Sequence, residues 1–216
     1  MSLRRLPRLA VATIAAALLS VGLVATTPAT AAAPTFSDVP PSHSFYKHVT
    51  WLAEQGLVNG YGDGTFRPGT SLTRGQFAVI VFKSDAPDDY VPPATPQFSD
   101  VPTSHPFYKH ISWLAEEGVV SGFSDGTFRP GASLTRGQLA VILTRAIAPG
   151  YTPPPTPRFS DVPTSHSFYK HVWFMVEFGV VDGFPDGTFR PNSPLTRGQF
   201  AVILYRAAHP SADVED

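Results

Sequence analysis

Apolar and polar residues along this chain follow one pattern, written three times. In the first copy an extended entry, Phe36-Ser-Asp-Val-Pro-Pro, carries prolines at 40 and 41 that disfavour helix before them. Phe45, Val49, Leu52 and Ala53 then stand at i, i+4, i+7 and i+8, one apolar stripe on about three turns of helix. Ser42 is placed to cap that helix, and Gly56 to stop it in the left-handed conformation. The segment Asn59-Gly-Tyr-Gly-Asp-Gly-Thr-Phe-Arg-Pro follows, and its glycines and Asp-Gly step predict a tight turn. A second helix opens on Thr73-Arg-Gly-Gln76, a capping box in which threonine and glutamine each satisfy an end N–H group. Beyond it, Phe77-Ala-Val-Ile-Val-Phe is apolar around the whole cylinder, so this helix must be surrounded.

Each landmark returns at fixed offsets of 62 and then 61 residues: Phe36, Phe98 and Phe159; Asp63, Asp125 and Asp186; Thr73, Thr135 and Thr196. A period of that length marks a supersecondary unit that buries its apolar face against its neighbours. The units span residues 36–83, 98–146 and 159–207, joined by proline-rich, semi-rigid linkers at 84–97 and 147–158. Three helices without a polar face are most simply buried together. The expected fold is therefore mainly α, with the second helices in a central bundle and the first helices and loops projecting outward.

Charge and composition narrow the functions. Residues 1–33 read as a secretory signal peptide: Arg4, Arg5 and Arg8, an apolar run from Leu9, then Ala29-Thr-Ala31 as a cleavage pattern. An uncleaved anchor is the competing reading. Without the leader's arginines the net charge is about −4, which excludes a nucleic-acid binder with a basic face. Nine of the thirteen remaining basic residues occupy three repeated positions, those of Lys47, Arg67 and Arg74. The chain has no cysteine, so neither disulfides nor thiolate metal sites are available. His43 and His48 are spaced i, i+5, which does not suit a helical zinc pair. A calcium loop would alternate several carboxylates where this one offers one. No metal, cofactor or catalytic residue is expected, and the segments outside the repeats are too short for a catalytic domain.

Phe-Ser-Asp-Val-Pro, the Ser-His helix start, Gly-Tyr/Phe-x-Asp-Gly-Thr-Phe-Arg-Pro and Leu-Thr-Arg, in that order three times, resemble the S-layer homology (SLH) family. The resemblance covers nearly all of residues 36–207. It implies a pseudo-threefold, three-pronged module whose inter-repeat grooves bind secondary cell-wall polysaccharide, often pyruvylated, at the bacterial surface. Two departures stand out. The family's Thr-Arg-Ala-Glu is Thr-Arg-Gly-Gln in every copy, and glycine for alanine costs a helix about 1 kcal/mol or less. The tryptophan common after the first-helix histidine is replaced by Ser44, Pro106 and Ser167.

Arg74, Arg136 and Arg197 are the leading candidates for ligand binding. Each opens a helix, where unpaired N–H groups and the dipole favour an anion, and each adds a donor fork suited to carboxylate or phosphate. A solvated arginine, or one paired with Asp38 or Asp63, is the bland reading. Tyr61, Phe123 and Phe184 stand in the glycine loop beside aspartates whose role is to build the turn. Trp51 and Trp113 lie about 140° off the apolar stripe, either packed on a neighbouring repeat or stacked on a sugar. The expected function is a secreted, non-catalytic attachment module at the cell wall or cell surface. Its partner is anionic secondary cell-wall polysaccharide. The alternative is an S-layer-like assembly or interaction scaffold that joins copies or docks peptidoglycan-associated and other envelope proteins.

Overall fold

The computed structural model describes residues 35–209; the leader predicted over 1–33 lies outside them. Each repeat forms a nine-residue helix followed by a twelve-residue one: α1 (Tyr46–Glu54) and α2 (Arg74–Asp85), α3 (Tyr108–Glu116) and α4 (Arg136–Ile147), α5 (Tyr169–Glu177) and α6 (Arg197–Ala208). The architecture is mainly helical, three tandem helix–loop–helix units.

The helix ends follow local chemistry. All three long helices carry the full capping box, Thr73 with Gln76, Thr135 with Gln138 and Thr196 with Gln199. Gly56, at φ +68°, ends α1; its N–H reaches Ala53 O while Leu57 N–H reaches Leu52 O, the paired bonds of a left-handed stop. The start of α1 differs from expectation. Its N-cap is Phe45, not Ser42, with no side-chain cap bond. Instead the Phe45 N–H donates to Nδ1 of His43 at 3.1 Å, and His105 and His166 repeat the contact. The imidazole thus serves a backbone donor that Ser42 does not.

The repeats close into a ring. Leu72 N–H donates to Leu195 O, Leu195 N–H to Leu134 O, and Leu134 N–H to Leu72 O, each at 2.8 Å. All three leucines are buried, as are Phe66, Phe128 and Phe189 from the three loops. The long helices converge on this hub at their N-terminal ends, where Phe77 and Phe200 meet at 5.7 Å. Further out, each long helix packs most extensively against the short helix of the next repeat: α2 with α3, α4 with α5, and α6 with α1. A prong is therefore shared between two repeats, so no repeat buries its own stripe unaided.

The linkers bind these prongs rather than hanging between them. Tyr90 donates to Glu116 at 3.0 Å and meets Phe82 edge-on, and Tyr108 donates to Pro93 O at 2.6 Å. Tyr151 pairs likewise with Glu177, and its ring meets Phe174 at 5.5 Å.

Candidate functional site: the grooves between repeats

Arg74, Arg136 and Arg197 are only 7% exposed. Their Nε–H groups donate to Phe128 O, Phe189 O and Phe66 O at 2.8–2.9 Å, always in the following repeat. A second guanidinium nitrogen of Arg74 donates to Ser121 O at 3.2 Å, and that of Arg136 to Asp182 O at 3.0 Å. Each guanidinium also lies over two aromatic rings; Arg197 sits 5.1 Å from the Tyr61 centroid and 4.4 Å from that of Phe66. Burial pushes all three pKa values below the ordinary arginine range, and the groups stay charged. These arginines clamp one repeat to the next, and part of each donor fork is committed to carbonyls. They pair with neither Asp38 nor Asp63.

The helix N-termini are also spoken for, which corrects the expectation of free N–H groups there. Arg74 N–H donates to Ala132 O and Gly75 N–H to Pro130 O, both at 2.9 Å, and Gln76 N–H reaches Thr73 Oγ1. The other two long helices repeat this. Donors that a helix leaves orphaned are here satisfied by the adjoining loop, so the dipole end is sealed inside the hub.

Gly75 explains the departure from alanine. A Cβ there would lie 2.4 Å from the Phe107 ring; at Gly137 it would lie 2.5 Å from Phe168, and at Gly198 2.4 Å from Phe45. The glycine costs helix propensity and in return admits the N-cap phenylalanine of the next short helix. That phenylalanine lines the groove.

The glycine loop is knit to itself. Asp63 Oδ1 accepts from Thr65 N–H and Oγ1–H, while Oδ2 pairs with Arg67 at 2.8 Å; Asp125 and Asp186 do the same. Hydrogen bonds from the threonine, then from the arginine, hold Asp63 well below the usual carboxylate range and bring Asp125 and Asp186 to about 2. Arg67 adopts φ +59°, costly for a side-chain-bearing residue. Asp38 holds it there by accepting from both Phe66 N–H and Arg67 N–H at 2.7 Å. The entry aspartate is thus a backbone clamp.

Between these parts run open grooves. One, of about 340 Å³, is lined by Arg74 from the first repeat, Val120, Ser121, Phe123 and Arg145 from the second, and Phe168 from the third. Another, of about 200 Å³, brings together Arg197, Val58, Asn59, Lys83 and Phe107. Each has an apolar floor, a buried guanidinium at the back and an exposed cation from the last turns of the long helix. Sequence reasoning found Arg74, Arg197 and Phe123 but missed Lys83, Arg145, Phe107 and Phe168. Their repetition at equivalent positions was the available signal.

The other candidates are placed as follows. Tyr61, Phe123 and Phe184 each carry a guanidinium on the ring, with Arg67 4.0 Å from the Tyr61 centroid and Arg129 and Arg190 at 3.9 Å from the other two. Trp113 is 3% exposed and packs edge-on against Phe82 of the preceding repeat. Trp51 meets Tyr205 of the third repeat and His209 just after it. Both tryptophans thus contact the adjoining repeat. Among the described residues no cluster of three or more metal-ligating side chains occurs, and no helix is long and apolar enough to cross a membrane.

A cyclic trio of helix–loop–helix repeats with inter-repeat grooves defines a class of repeat module, and comparison places it. Residues 35–78, 97–140 and 158–201 match the S-layer homology domain, more than half of the chain, and the chain belongs to that family. It is 33% identical over 141 residues to a cellulosome-anchoring protein of Acetivibrio thermocellus, covering 64% of this chain and 31% of that protein. It is 28% identical over 185 residues to cell surface glycoprotein 1 of the same organism, covering 81% and 8%. Against the S-layer protein sap of Bacillus anthracis it is 28% identical over 180 residues, covering 82% and 22%. The chain spans less than a third of the length of each.

Proposed function

We propose that this chain is a secreted, non-catalytic attachment module. In this reading it holds to the bacterial cell wall by binding anionic secondary cell-wall polysaccharide, pyruvylated in its sugars, in the grooves between repeats. The observation that carries this reading is the pairing of opposite surfaces within one groove. Lys83 or Arg145 offers an exposed cation facing the buried guanidinium, above a floor of Val79 and Ile80 or Val141 and Ile142. A pyruvate ketal presents the same two chemistries, a carboxylate and a methyl group, on one acetal carbon. Modest affinity per groove suffices, because a rigid ring engaging a repetitive polymer gains avidity without new contacts. Anchoring and cell-surface relatives support the setting.

The test is co-sedimentation with purified cell walls before and after their secondary polymer is stripped with acid. Binding should fall at least tenfold on stripped walls. Replacing Lys83 and Arg145 together by glutamine should lower binding to intact walls to a similar extent. Undiminished binding to stripped walls would refute the reading. Light scattering of the purified chain without glycan tests the assembly alternative, which requires it to associate on its own.

A further inference from the structure

The third pair of adjoining repeats places equivalent residues where the other two pairs form their grooves, but with a different charge. After two apolar residues, the groove wall carries Asn59 in the first copy, Ser121 in the second and Asp182 in the third. The long-helix cations at the matching positions are Lys83, Arg145 and Arg206. Lys83 reaches only a backbone carbonyl, Gly56 O, at 3.3 Å, and Arg145 is exposed and in no ion pair among the described residues. Arg206 instead holds the Asp182 carboxylate at 2.7 Å, its own side chain 27% exposed. Asp182 is itself fixed from behind, since its backbone oxygen accepts from Arg136 at 3.0 Å. Asp182 therefore engages both cations at the positions that line the other grooves, Arg206 through its carboxylate and Arg136 through its backbone oxygen.

We infer that the third groove is closed to acid-bearing sugar by the chain's own carboxylate, leaving a module with two working grooves. Asp182 is thus the residue that sets the binding stoichiometry. The inference rests on the attachment reading above and adds which grooves serve it. A bound acid in the third groove must displace the Asp182 carboxylate from Arg206 and then sit beside it. A pair whose carboxylate is 73% exposed is individually weak, but like-charge repulsion between the ligand's carboxylate and that of Asp182 adds to the loss of the pair. Affinity there should be at least about tenfold lower than in the other grooves.

Isothermal titration with a 4,6-pyruvate ketal of an N-acetylhexosamine, on the full chain, reads this out. Wild type should show two strong sites, and Asp182→Asn, which keeps the backbone carbonyl and copies Asn59, should show three. Ser121→Asp should leave one, by placing a carboxylate beside Arg145. Both positions are exposed, and unchanged circular dichroism would confirm that both variants fold. Three equivalent sites in wild type, or two in Asp182→Asn, would overturn the inference while the attachment reading stood. No binding by any variant would overturn the ketal reading, and the inference with it.

Discussion

The hub and the prongs are made from the same three repeats, yet they differ in how closely the copies agree. At the hub the copies are interchangeable. The leucine ring bonds are 2.8 Å three times, the clamp arginines are equally buried, and the same glycine faces the same phenylalanine in each interface. Along the prongs the copies diverge. Phe82 becomes Thr144, whose hydroxyl turns back to Ala140 O, and then Tyr205, which meets Trp51 and His48. Asn59 becomes Ser121 and then Asp182. A ring closes only if its three interface rotations together complete a full turn, so the hub tolerates little variation; a groove wall facing solvent is under no such constraint. Binding can thus be tuned groove by groove on a fixed frame.

Changes at the hub should consequently have the largest effects. Arg136→Met leaves Phe189 O and Asp182 O without their charged donor and should cost about 3 kcal/mol, read as a lower denaturation midpoint. Gly137→Ala forces a methyl within 2.5 Å of Phe168 and 3.0 Å of Pro191 O and should cost about 2 kcal/mol, although alanine is the better helix former. Were Gly137→Ala neutral or stabilising, the glycine's proposed role would fail. Thr196→Ala removes one capping box and should cost about 1 kcal/mol.

At the outer end of the first prong, burial also acts on the carboxyl group of Asp85. Burial raises its pKa from 3.8 to about 6, opposed by a hydrogen bond from Ser84. The folded state therefore binds the proton more tightly than the unfolded state. The contribution of Asp85 to stability is fullest below about pH 3.8 and is lost as pH rises through about 6. Asp85→Asn should flatten that window and gain on the order of 1 kcal/mol at pH 7, allowing for solvent screening. Equal pH dependence in the variant would contradict this. The smallest effect concerns the knit loops: carbon chemical shifts should show Asp125 and Asp186 titrating at about 2, with their turns intact above that pH.

Much of the fold was legible because its signals are local. The capping boxes, the Gly56 stop, the buried second helices and the threefold period all follow from spacing within one repeat. Partner choice was not legible. Three near-identical apolar stripes can pair within a repeat or across repeats, and only ring closure selects α2 with α3 over α2 with α1. The same reason hid the arginine's neighbours. A Thr-Arg helix start looks like an open anion site until the next repeat supplies Pro130 O and Ala132 O. Gly75 read as a defect because the ring it admits lies 32 residues away, in another copy. Lys83 and Arg145 have no local sequence feature that sets them apart from other charged residues near a helix end.

Acidic wall glycan bound in the inter-repeat grooves should be visible by amide chemical-shift mapping with purified secondary wall polymer. The predicted shifts cluster at Leu57–Asn59 with Gln76–Lys83, and at Val119–Phe123 with Gln138–Arg145, with little change around Asp182. Shifts confined to the outer faces of the prongs, leaving both grooves silent, would contradict it.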